Sequence, residues 1–300
     1  MCYFSTVLGI TLSTALTDAR REFEQLRIGK ADLLRLLDES EVPESVYNSN
    51  AIENSTLTLE DTERILLAVE ISRHMDLREV HEAQNLARVG HYIRTQHAES
   101  MSLELLRLLH KMLLANIDDA IAGRFRSAGE YVRVGTHIAP APEKIESLLT
   151  DLLVRYASDL SAHPVERLAR AHLDFEHILP FVDGNGRIGR VVLNYFLHQQ
   201  GFPPVIVRTK GKEKYYAMLR SYDTSGDVKT FERHLATLML ESMHRRIAYL
   251  RGASIVPVTD LARTLSIRSN VLLNQARRQV IPAFRERGVW KLPEDYRPGV

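Results

Sequence analysis

The sequence has few of the residues on which several classes of protein depend. Its single cysteine, Cys2, cannot close an intramolecular disulfide, so we expect the protein to work in a reducing compartment. No run of 18 or more apolar residues occurs, which excludes an ordinary membrane-spanning helix. The apolar opening from Cys2 to Leu16 lacks the basic start and the small-residue cleavage site of a secretory signal. These absences predict a cytoplasmic protein.

Charge is nearly balanced over the chain but unevenly distributed along it. The formal net charge is +1, yet residues 251–300 hold nine Lys or Arg and four Asp or Glu, which leaves +5 on that segment and −4 on the remainder. Hydrophobic residues make up 45% of the chain, enough for a substantial core. We expect two domains, or one domain with a basic appendage.

Apolar residues that recur at intervals of three and four predict a mainly α-helical protein. The clearest stripes lie at 33–37, 65–71, 103–112, 145–153 and 191–197. Residues 131–138 depart from this pattern, because apolar and polar residues alternate around Gly135, and they predict a short β-hairpin.

A glycine-rich turn at 183–190 carries the clearest chemical signal. Two glycines flank Asn185 in the sequence Asp-Gly-Asn-Gly, so successive backbone N–H groups can converge in an anion-binding nest at the start of a helix. Arg187 and Arg190 are three residues apart on that helix and can lean over one phosphate chain. A carboxylate at Asp183 can hold a magnesium ion that bridges phosphate oxygens.

The alternative is a tight turn between two helices, in which Asp-Gly and Asn-Gly bend the chain and the arginines are solvated. Two arginines in phase with the nest favour the anion site. An EF-hand is excluded because the acidic residues do not alternate and no glutamate closes a twelve-residue loop; no Walker A sequence is present.

The stretch from Leu179 to Arg190 resembles the motif of the Fic family of AMP-transferases, which reads His-Pro-Phe, any residue, Asp or Glu, Gly-Asn-Gly-Arg, any two residues and Arg. Here it reads Leu-Pro-Phe-Val-Asp-Gly-Asn-Gly-Arg-Ile-Gly-Arg, so only the first position departs. The resemblance implies Mg²⁺ on Asp183, a loop anchored by Phe181, and catalytic roles for Asp183, Asn185 and Arg187. It assigns the ATP phosphates to Gly184, Asn185, Gly186, Arg187 and Arg190.

Leu179 stands where the family keeps its catalytic histidine. A leucine cannot accept a proton, and loss of a general base typically removes about 10²- to 10⁴-fold of rate, so we expect slow transfer or none. His177 is two positions earlier on the preceding helix, about 200° around its axis, and points away from the loop. His172 is farther still, and both are more readily explained as core or supporting residues.

Two further segments resemble parts of the family's site. Tyr215 and Tyr216 resemble a tyrosine pair that flanks adenine, and aromatic faces suit a purine; the alternative is a helix that buries Tyr and Leu at i and i+4. The hairpin at 131–138 resembles the family's flap, whose edge strand receives the target protein as an added strand.

Residues 49–54, Ser-Asn-Ala-Ile-Glu-Asn, resemble the family's inhibitory motif, which reads Ser or Thr, three variable residues, Glu, then Gly or Asn. Ser49 and Glu53 lie four apart on one helical face, and Asn54 suits a left-handed helix end. The resemblance implies that Glu53 pairs with Arg190 and blocks the seating of the ATP γ-phosphate. The alternative is a capped surface helix with an incidental glutamate.

The tail resembles a small winged-helix or excisionase-like module at 258–292. We expect a helix that opens near Thr259, a break near Ser266, a second helix, and a hairpin that turns at Gly288. Its basic side chains could neutralise DNA phosphates, namely Arg277, Arg278, Arg285 and Arg287. Winged helices also serve as docking or dimer modules, so DNA, another protein and a second copy of this chain all stay open as partners.

Together these features predict a mainly α Fic-type fold with a β-hairpin flap and a winged-helix-like module. We expect an N-terminal helical region at 1–100 with the inhibitory helix at about 47–54, a Fic core at 101–250 and the module at 255–300. The implied reaction moves AMP from ATP to a Ser, Thr or Tyr hydroxyl of a protein. The alternatives are a phosphotransferase or de-AMPylase on the same loop, and a DNA-binding regulator that senses nucleotide.

Overall fold

A computed structural model of the protein describes residues 10–69, 75–96 and 99–298. Cys2 lies outside the described residues, as do the start of the apolar opening considered above and Ile71 at the end of one predicted stripe. No helix in the described part of the chain combines the length and the apolarity needed to cross a membrane.

Helices dominate the structure, as the apolar spacing predicts. In chain order they are α1 (Ile10–Leu26), α2 (Ala31–Ile52), α3 (Leu59–Leu66), α4 (Leu77–Thr95), α5 (Leu103–Leu114), α6 (Ile145–Ser158), α7 (Pro164–Ile178), α8 (Asn185–Gln199), α9 (Lys212–Ser225), α10 (Lys229–Leu250), α11 (Val258–Thr264) and α12 (Ser269–Arg277). The strands are β1 (Arg133–Val134), β2 (His137–Ile138), β3 (Ile255–Pro257), β4 (Phe284–Glu286) and β5 (Val289–Pro293).

The contacts divide the chain into two compact units. The larger unit comprises residues 42–201 and 206–232, and the smaller unit comprises residues 202–205, residues from 233 onward, and the described residues up to 41. This division differs from the three segments predicted from the sequence, because α2 and α10 each contribute to both units.

Helices α7 and α8 pack against each other at the centre of the larger unit, with α4 and α5 against α8 and with α6 and α9 against α7. Most residues of α7 and α8 are buried. The short connection between them, residues 179–184, is therefore fixed at both ends by the most buried helices of this unit.

The structure confirms several local predictions and corrects one. Helices α5, α6 and α8 contain the predicted stripes at 103–112, 145–153 and 191–197. The prediction of a helix through 65–71 is wrong at its end: α3 stops at Leu66, and Ala68 adopts a left-handed conformation (φ 53°) that ends the helix.

The predicted hairpin at 131–138 is present as two short antiparallel strands. Arg133 pairs with Ile138 and Val134 with His137, and the turn passes through Gly135, whose φ of 60° suits a residue without a side chain.

The tail forms the helices and the hairpin that the sequence predicts, with one added strand. Helices α11 and α12 are separated by a left-handed Ser266 (φ 55°), and β4 and β5 form a hairpin that turns at Gly288. Strand β3, which the sequence did not indicate, completes an antiparallel sheet in the order β3-β5-β4. Arg285 forms a bidentate ion pair with Glu241 of α10 and covers the ring of Trp290, so its charge is already neutralised.

One buried guanidinium joins the hairpin to the end of α7. Arg126 donates hydrogen bonds to the carbonyls of Ile178 and Leu179 at the end of the helix, and to those of Glu130 and Pro140 at the base of the hairpin. The last carbonyls of a helix have no partner within it. Arg126 supplies that partner and fixes the position of the segment that follows α7.

We expect Arg126→Met to lower the free energy of unfolding by about 3 kcal/mol, because methionine leaves these buried carbonyls without a donor. Urea titration followed by circular dichroism measures this. The matched control is Arg124→Met, since the side chain of Arg124 is 41% exposed and pairs with the partly exposed carboxylate of Glu130; its cost should stay below about 1 kcal/mol. Equal costs for the two variants would contradict the anchoring role.

Candidate active site

The turn between α7 and α8 is held by hydrogen bonds to its own backbone. The side chain of Asn185 accepts from the N–H of Phe181 (2.8 Å) and donates to the carbonyl of the same residue (2.8 Å). Gly184 is left-handed (φ 78°), and a Cβ there would come within 3.1 Å of Leu113. Helix α8 begins at Asn185, so the positive end of its dipole faces the turn.

His110 of α5 packs against the turn, and the sequence did not indicate this role. Its ring stacks on Phe181 with centroids 3.7 Å apart. Its Nδ1 accepts from the N–H of Gly123 (3.0 Å), which leaves Nε2–H to donate to the carbonyl of Asp183 (3.0 Å). Burial lowers the pKa of His110 to about 4, so the ring is neutral at physiological pH and acts as a fixed support.

Two residues of α4 pair with the charged side chains of the turn. Arg78 lies 3.0 Å from Asp183, and Glu82 lies 3.0 Å from the buried guanidinium of Arg187. Arg187 also approaches Asp183 at 3.5 Å. The carboxylate of Asp183, assigned to the metal, thus lies near the guanidinium of Arg187, assigned to phosphate. Two side chains of α4 neutralise these charges, Arg78 that of Asp183 and Glu82 that of Arg187.

The second arginine of the motif is held by the end of α2. Arg190 is buried and donates from Nε to the hydroxyl of Ser49 (3.0 Å), and from Nη2 to the carbonyl of Ser49 (2.9 Å) and to Glu53 (2.8 Å). The contact between Glu53 and Arg190 that the resemblance implies is therefore present. Glu53 also lies against Gly186, since a Cβ there would be 2.4 Å from its Oε1.

Asn54 and Lys212 close this side of the turn. Asn54 adopts the predicted left-handed conformation (φ 71°), and its side-chain oxygen accepts from Lys212 of α9 (2.6 Å). The neighbouring carboxylate of Glu53 lies beside Gly186 in the first turn of α8. The start of a helix is where an anion would be bound.

Two buried donors at this site have no acceptor among the described residues. They are Nε of Arg187 and Nη1 of Arg190. A buried guanidinium N–H without a partner costs free energy that an incoming oxyanion would recover. The site therefore keeps hydrogen-bond donors that the oxygens of an anion could accept from.

Both tyrosines of the predicted aromatic pair line the cavity described below, but they differ in exposure. Tyr215 is fully buried, and its hydroxyl is hydrogen-bonded to Nε2 of His172 (2.8 Å). His172 is buried as well and belongs to the core. Tyr216 is half-buried, and its hydroxyl donates to the carbonyl of Ile52 at 3.4 Å. Only Tyr216 keeps part of its ring accessible for stacking on a base.

Leu179 is buried and left-handed (φ 45°) at the end of α7. Leucine rarely adopts this conformation, whereas histidine, asparagine and aspartate adopt it several times more often. His177 does not replace it, because its side chain does not line the cavity described below; its Nδ1 bonds to Asp223 (2.7 Å). In this structure no imidazole from α7 lines the cavity described below.

A cavity of about 350 Å³ lies over the turn. It is lined by the turn itself, by Glu53, Glu176, Leu179, Arg190 and Tyr216, and by hairpin residues that include Val134 and His137. Its volume falls in the range of sites for small ligands. The arrangement can bind an anion at the helix start, hold a cation on Asp183, and place an apolar or aromatic group against Tyr216.

Comparison with known proteins identifies the domain that carries this site. Residues 100–197 match the sequence profile of the Fic/DOC family. The protein adenylyltransferase Fic of Nematostella vectensis is 32% identical over 71% of this chain and 50% of its own length. The protein adenylyltransferase fic-1 of Caenorhabditis elegans is 31% identical over 79% of this chain and 47% of its own length. The chain thus spans about half the length of these curated relatives.

Solved structures show the same fold. A Fic-domain-containing signalling protein from Bacteroides thetaiotaomicron superposes with a TM-score of 0.72 at 24% identity, over 80% of this chain and 98% of its own. Fic-1 of C. elegans superposes with a TM-score of 0.70 at 27% identity, over 81% of this chain and 74% of its own.

Glu176 gives the site a pH dependence. Burial raises the pKa of Glu176 to about 7; the nearby charge of Arg190 opposes this shift and that of Glu53 adds to it. The folded state therefore holds a proton that the unfolded state releases above its ordinary pKa of 4.5. The contribution of Glu176 to the free energy of unfolding should fall by about 3 kcal/mol as the pH rises from 4.5 through 7.

Urea titrations from pH 4.5 to 8 measure this for the parent and for Glu176→Gln. The variant should lose this part of the pH dependence, whereas Glu166→Gln, a change at a partly exposed glutamate near the start of the same helix, should keep it. Parallel curves for the parent and Glu176→Gln would contradict the assignment.

Proposed function

Since the chain belongs to the Fic/DOC family, we propose that it transfers AMP from ATP to a hydroxyl group of a protein and that Glu53 holds it in an inhibited state. The observation that carries this proposal is the buried guanidinium of Arg190. It faces the start of α8, keeps one donor without an acceptor among the described residues, and meets the carboxylate of Glu53 where an anion would be bound. The names of the relatives, protein adenylyltransferases, support the reaction type.

The donor set suits ATP with Mg²⁺. Arg187 and Arg190 each have a buried N–H free to donate within the described residues, and phosphate oxygens are good acceptors for such groups. Mg²⁺ is commonly held by one or two carboxylates together with substrate phosphates, and Asp183 provides one carboxylate at the turn. When bound, the ion would neutralise phosphate charge. Asp183 would have to exchange its contact with Arg78 for the metal.

Leu179 explains why we expect little transfer from the chain as it stands. A target hydroxyl must lose a proton as it attacks the α-phosphate and displaces pyrophosphate, and no imidazole of α7 lines the cavity in this structure. The left-handed backbone at this position suits histidine better than leucine, so the base can be restored without a backbone change.

The inhibition proposed for Glu53 is a competition between two anions for one guanidinium. Glu53 pairs with Arg190 at 2.8 Å, and Ser49 holds the same side chain from α2. A phosphate group at the start of α8 would need the position that the Glu53 carboxylate takes beside Gly186. ATP could then seat fully only when the end of α2 moves or Glu53 is removed.

The hairpin supports a protein as the acceptor. Tyr131, Val134 and Ile138 are exposed on or beside its two-residue strands. An extended peptide could add to the free edge and present a hydroxyl side chain over the cavity. The residue type among Ser, Thr and Tyr stays open.

The remaining alternatives have less support from the structure. Phosphate transfer or AMP removal would use the same loop, and no contact at the site favours either. Binding of DNA through the tail would rely on basic side chains, yet Arg285 already pairs with Glu241, and Arg277 donates to Asn274.

Glu53→Gly should raise the affinity for MgATP by at least about tenfold, a free-energy gain of about 1.4 kcal/mol, because it frees Arg190 for phosphate. Isothermal titration calorimetry measures this. Glu60→Ala serves as the matched control, since Glu60 forms only a surface pair with Arg64, and its affinity should equal that of the parent. An unchanged affinity in Glu53→Gly would count against competition for Arg190.

Adding Leu179→His to Glu53→Gly should increase labelling of the protein or a target from ATP labelled on its α-phosphate by about 10²- to 10⁴-fold over Glu53→Gly alone. The label should stay on the protein as AMP, with the mass increase of an AMP group. ATP labelled on its γ-phosphate separates the alternatives, because a phosphotransferase would transfer that label. A double variant that is folded, binds MgATP and transfers neither label would contradict the proposed reaction.

A further inference from the structure

Three metal-binding side chains meet beside the cavity in a group that the proposed reaction does not use. His137 comes from strand β2 of the hairpin, His177 from the last turn of α7, and Asp223 from α9. One ligand atom from each lies within 4.8 Å of the others. We propose that these residues form a binding site for a divalent transition metal of the Zn²⁺ class, and that the metal fastens the hairpin to α7 and α9.

The distances are close to those of a tetrahedral site. Nδ1 of His177 is 2.7 Å from Oδ1 of Asp223, and Nδ1 of His137 is 3.6 Å from the same oxygen. Ligand atoms at about 2.0–2.1 Å from a tetrahedral Zn²⁺ lie about 3.3 Å apart. Small rotations of the three side chains would produce that spacing without a change in the backbone.

The tautomer of His137 is already the one that a metal requires. Its Nε2 lies 2.8 Å from the carbonyl of His177, and because a carbonyl can only accept, Nε2 carries the hydrogen. In the neutral ring Nδ1 then presents its lone pair, and this atom faces Asp223. Metal-ligating histidines commonly donate their second ring N–H to a backbone carbonyl, which orients the ring.

The chemistry of the donors selects the metal. Two imidazole nitrogens and one carboxylate suit Zn²⁺ and its neighbours among the transition metals, whereas Mg²⁺ and Ca²⁺ prefer oxygen donors. The site is therefore distinct in both residues and metal class from the Mg²⁺ position proposed on Asp183.

Three protein ligands leave a fourth position for water or another ligand. His137 and Asp223 line the cavity, so this position can open toward it. His137 and Asp223 are also mostly buried, with side chains 10% and 15% exposed, whereas His177 is 41% exposed. Through the exposed side of His177 the metal can enter from solvent. The mostly buried side chains of His137 and Asp223 would restrict movement of the bound metal.

The consequence for the hairpin follows from its size. Strands of two residues with exposed side chains contribute little stability of their own. Bonds from a metal to His137 would tie β2 to two helices of the larger unit. The metal would thus order the surface that we propose to receive the target, although binding of the metal does not depend on that activity.

The direct test is a titration with Co²⁺, whose visible absorption reports nitrogen ligation and tetrahedral geometry, and a competition with Zn²⁺ against a chelator. The chain should be free of any affinity tag and carry Cys2→Ser, so that no other strong ligand competes. We expect one metal ion per chain with a dissociation constant in the micromolar range or below.

Three variants locate the site. Three changes should each weaken binding of the metal by at least about tenfold: His137→Ala, His177→Ala and Asp223→Asn. Tenfold is a lower limit, because loss of even an outer-shell partner of a ligand typically costs about 10- to 100-fold in metal affinity. Asp223→Asn keeps the shape of the side chain and can still accept from His177, so it serves even if an alanine variant fails to fold. His91→Ala, which removes an exposed histidine of α4, is the matched control and should bind like the parent.

A second readout tests the effect on the hairpin. Trypsin can cleave after Arg133, which is exposed in β1. Zn²⁺ should slow that cleavage in the parent and leave its rate unchanged in Asp223→Asn. Binding that appears only at millimolar metal, or equal binding by the parent and all three variants, would overturn the proposed site.

Discussion

The positive charge of Arg190 is the constraint on which the site depends. A guanidinium removed from water is costly unless anions or carbonyls surround it, and the loss of one partner from such a group is strongly destabilising. Here Ser49 and Glu53 supply the partners from the end of α2, while one N–H keeps no acceptor in the described part of the chain. In the proposed function, the same guanidinium pairs either with Glu53 or with a phosphate of ATP.

The residues that hold the backbone around this charge are either neutral or already hydrogen-bonded to backbone groups. His110 and Asn185 hold the turn through hydrogen bonds to its backbone, and Arg126 holds the end of α7 through two of its carbonyls. None of these contacts needs to change when an anion enters. This backbone can stay rigid while the charged side chains of α2 and α4, Glu53 and Glu82 among them, exchange partners.

Much of this could be predicted from the sequence, because the informative residues are close together in it. The turn at 183–190 and the motif at 49–54 each fall within one short segment. A turn that combines glycine, asparagine and two arginines in phase has few structural interpretations. The contributions of Arg78 and Glu82 could not be foreseen, since they lie some hundred positions from the turn and meet it only through the packing of α4 on α8. His110 and Arg126 were missed for the same reason, and periodicity extended the stripe at 65–71 too far because it does not register the left-handed Ala68.

The most direct test of the account is a crystal structure of the Glu53→Gly variant with MgATP. We expect phosphate oxygens at the start of α8, within hydrogen-bonding distance of the guanidinium groups of Arg187 and Arg190. A nucleotide bound elsewhere, or an empty turn at saturating MgATP, would contradict it.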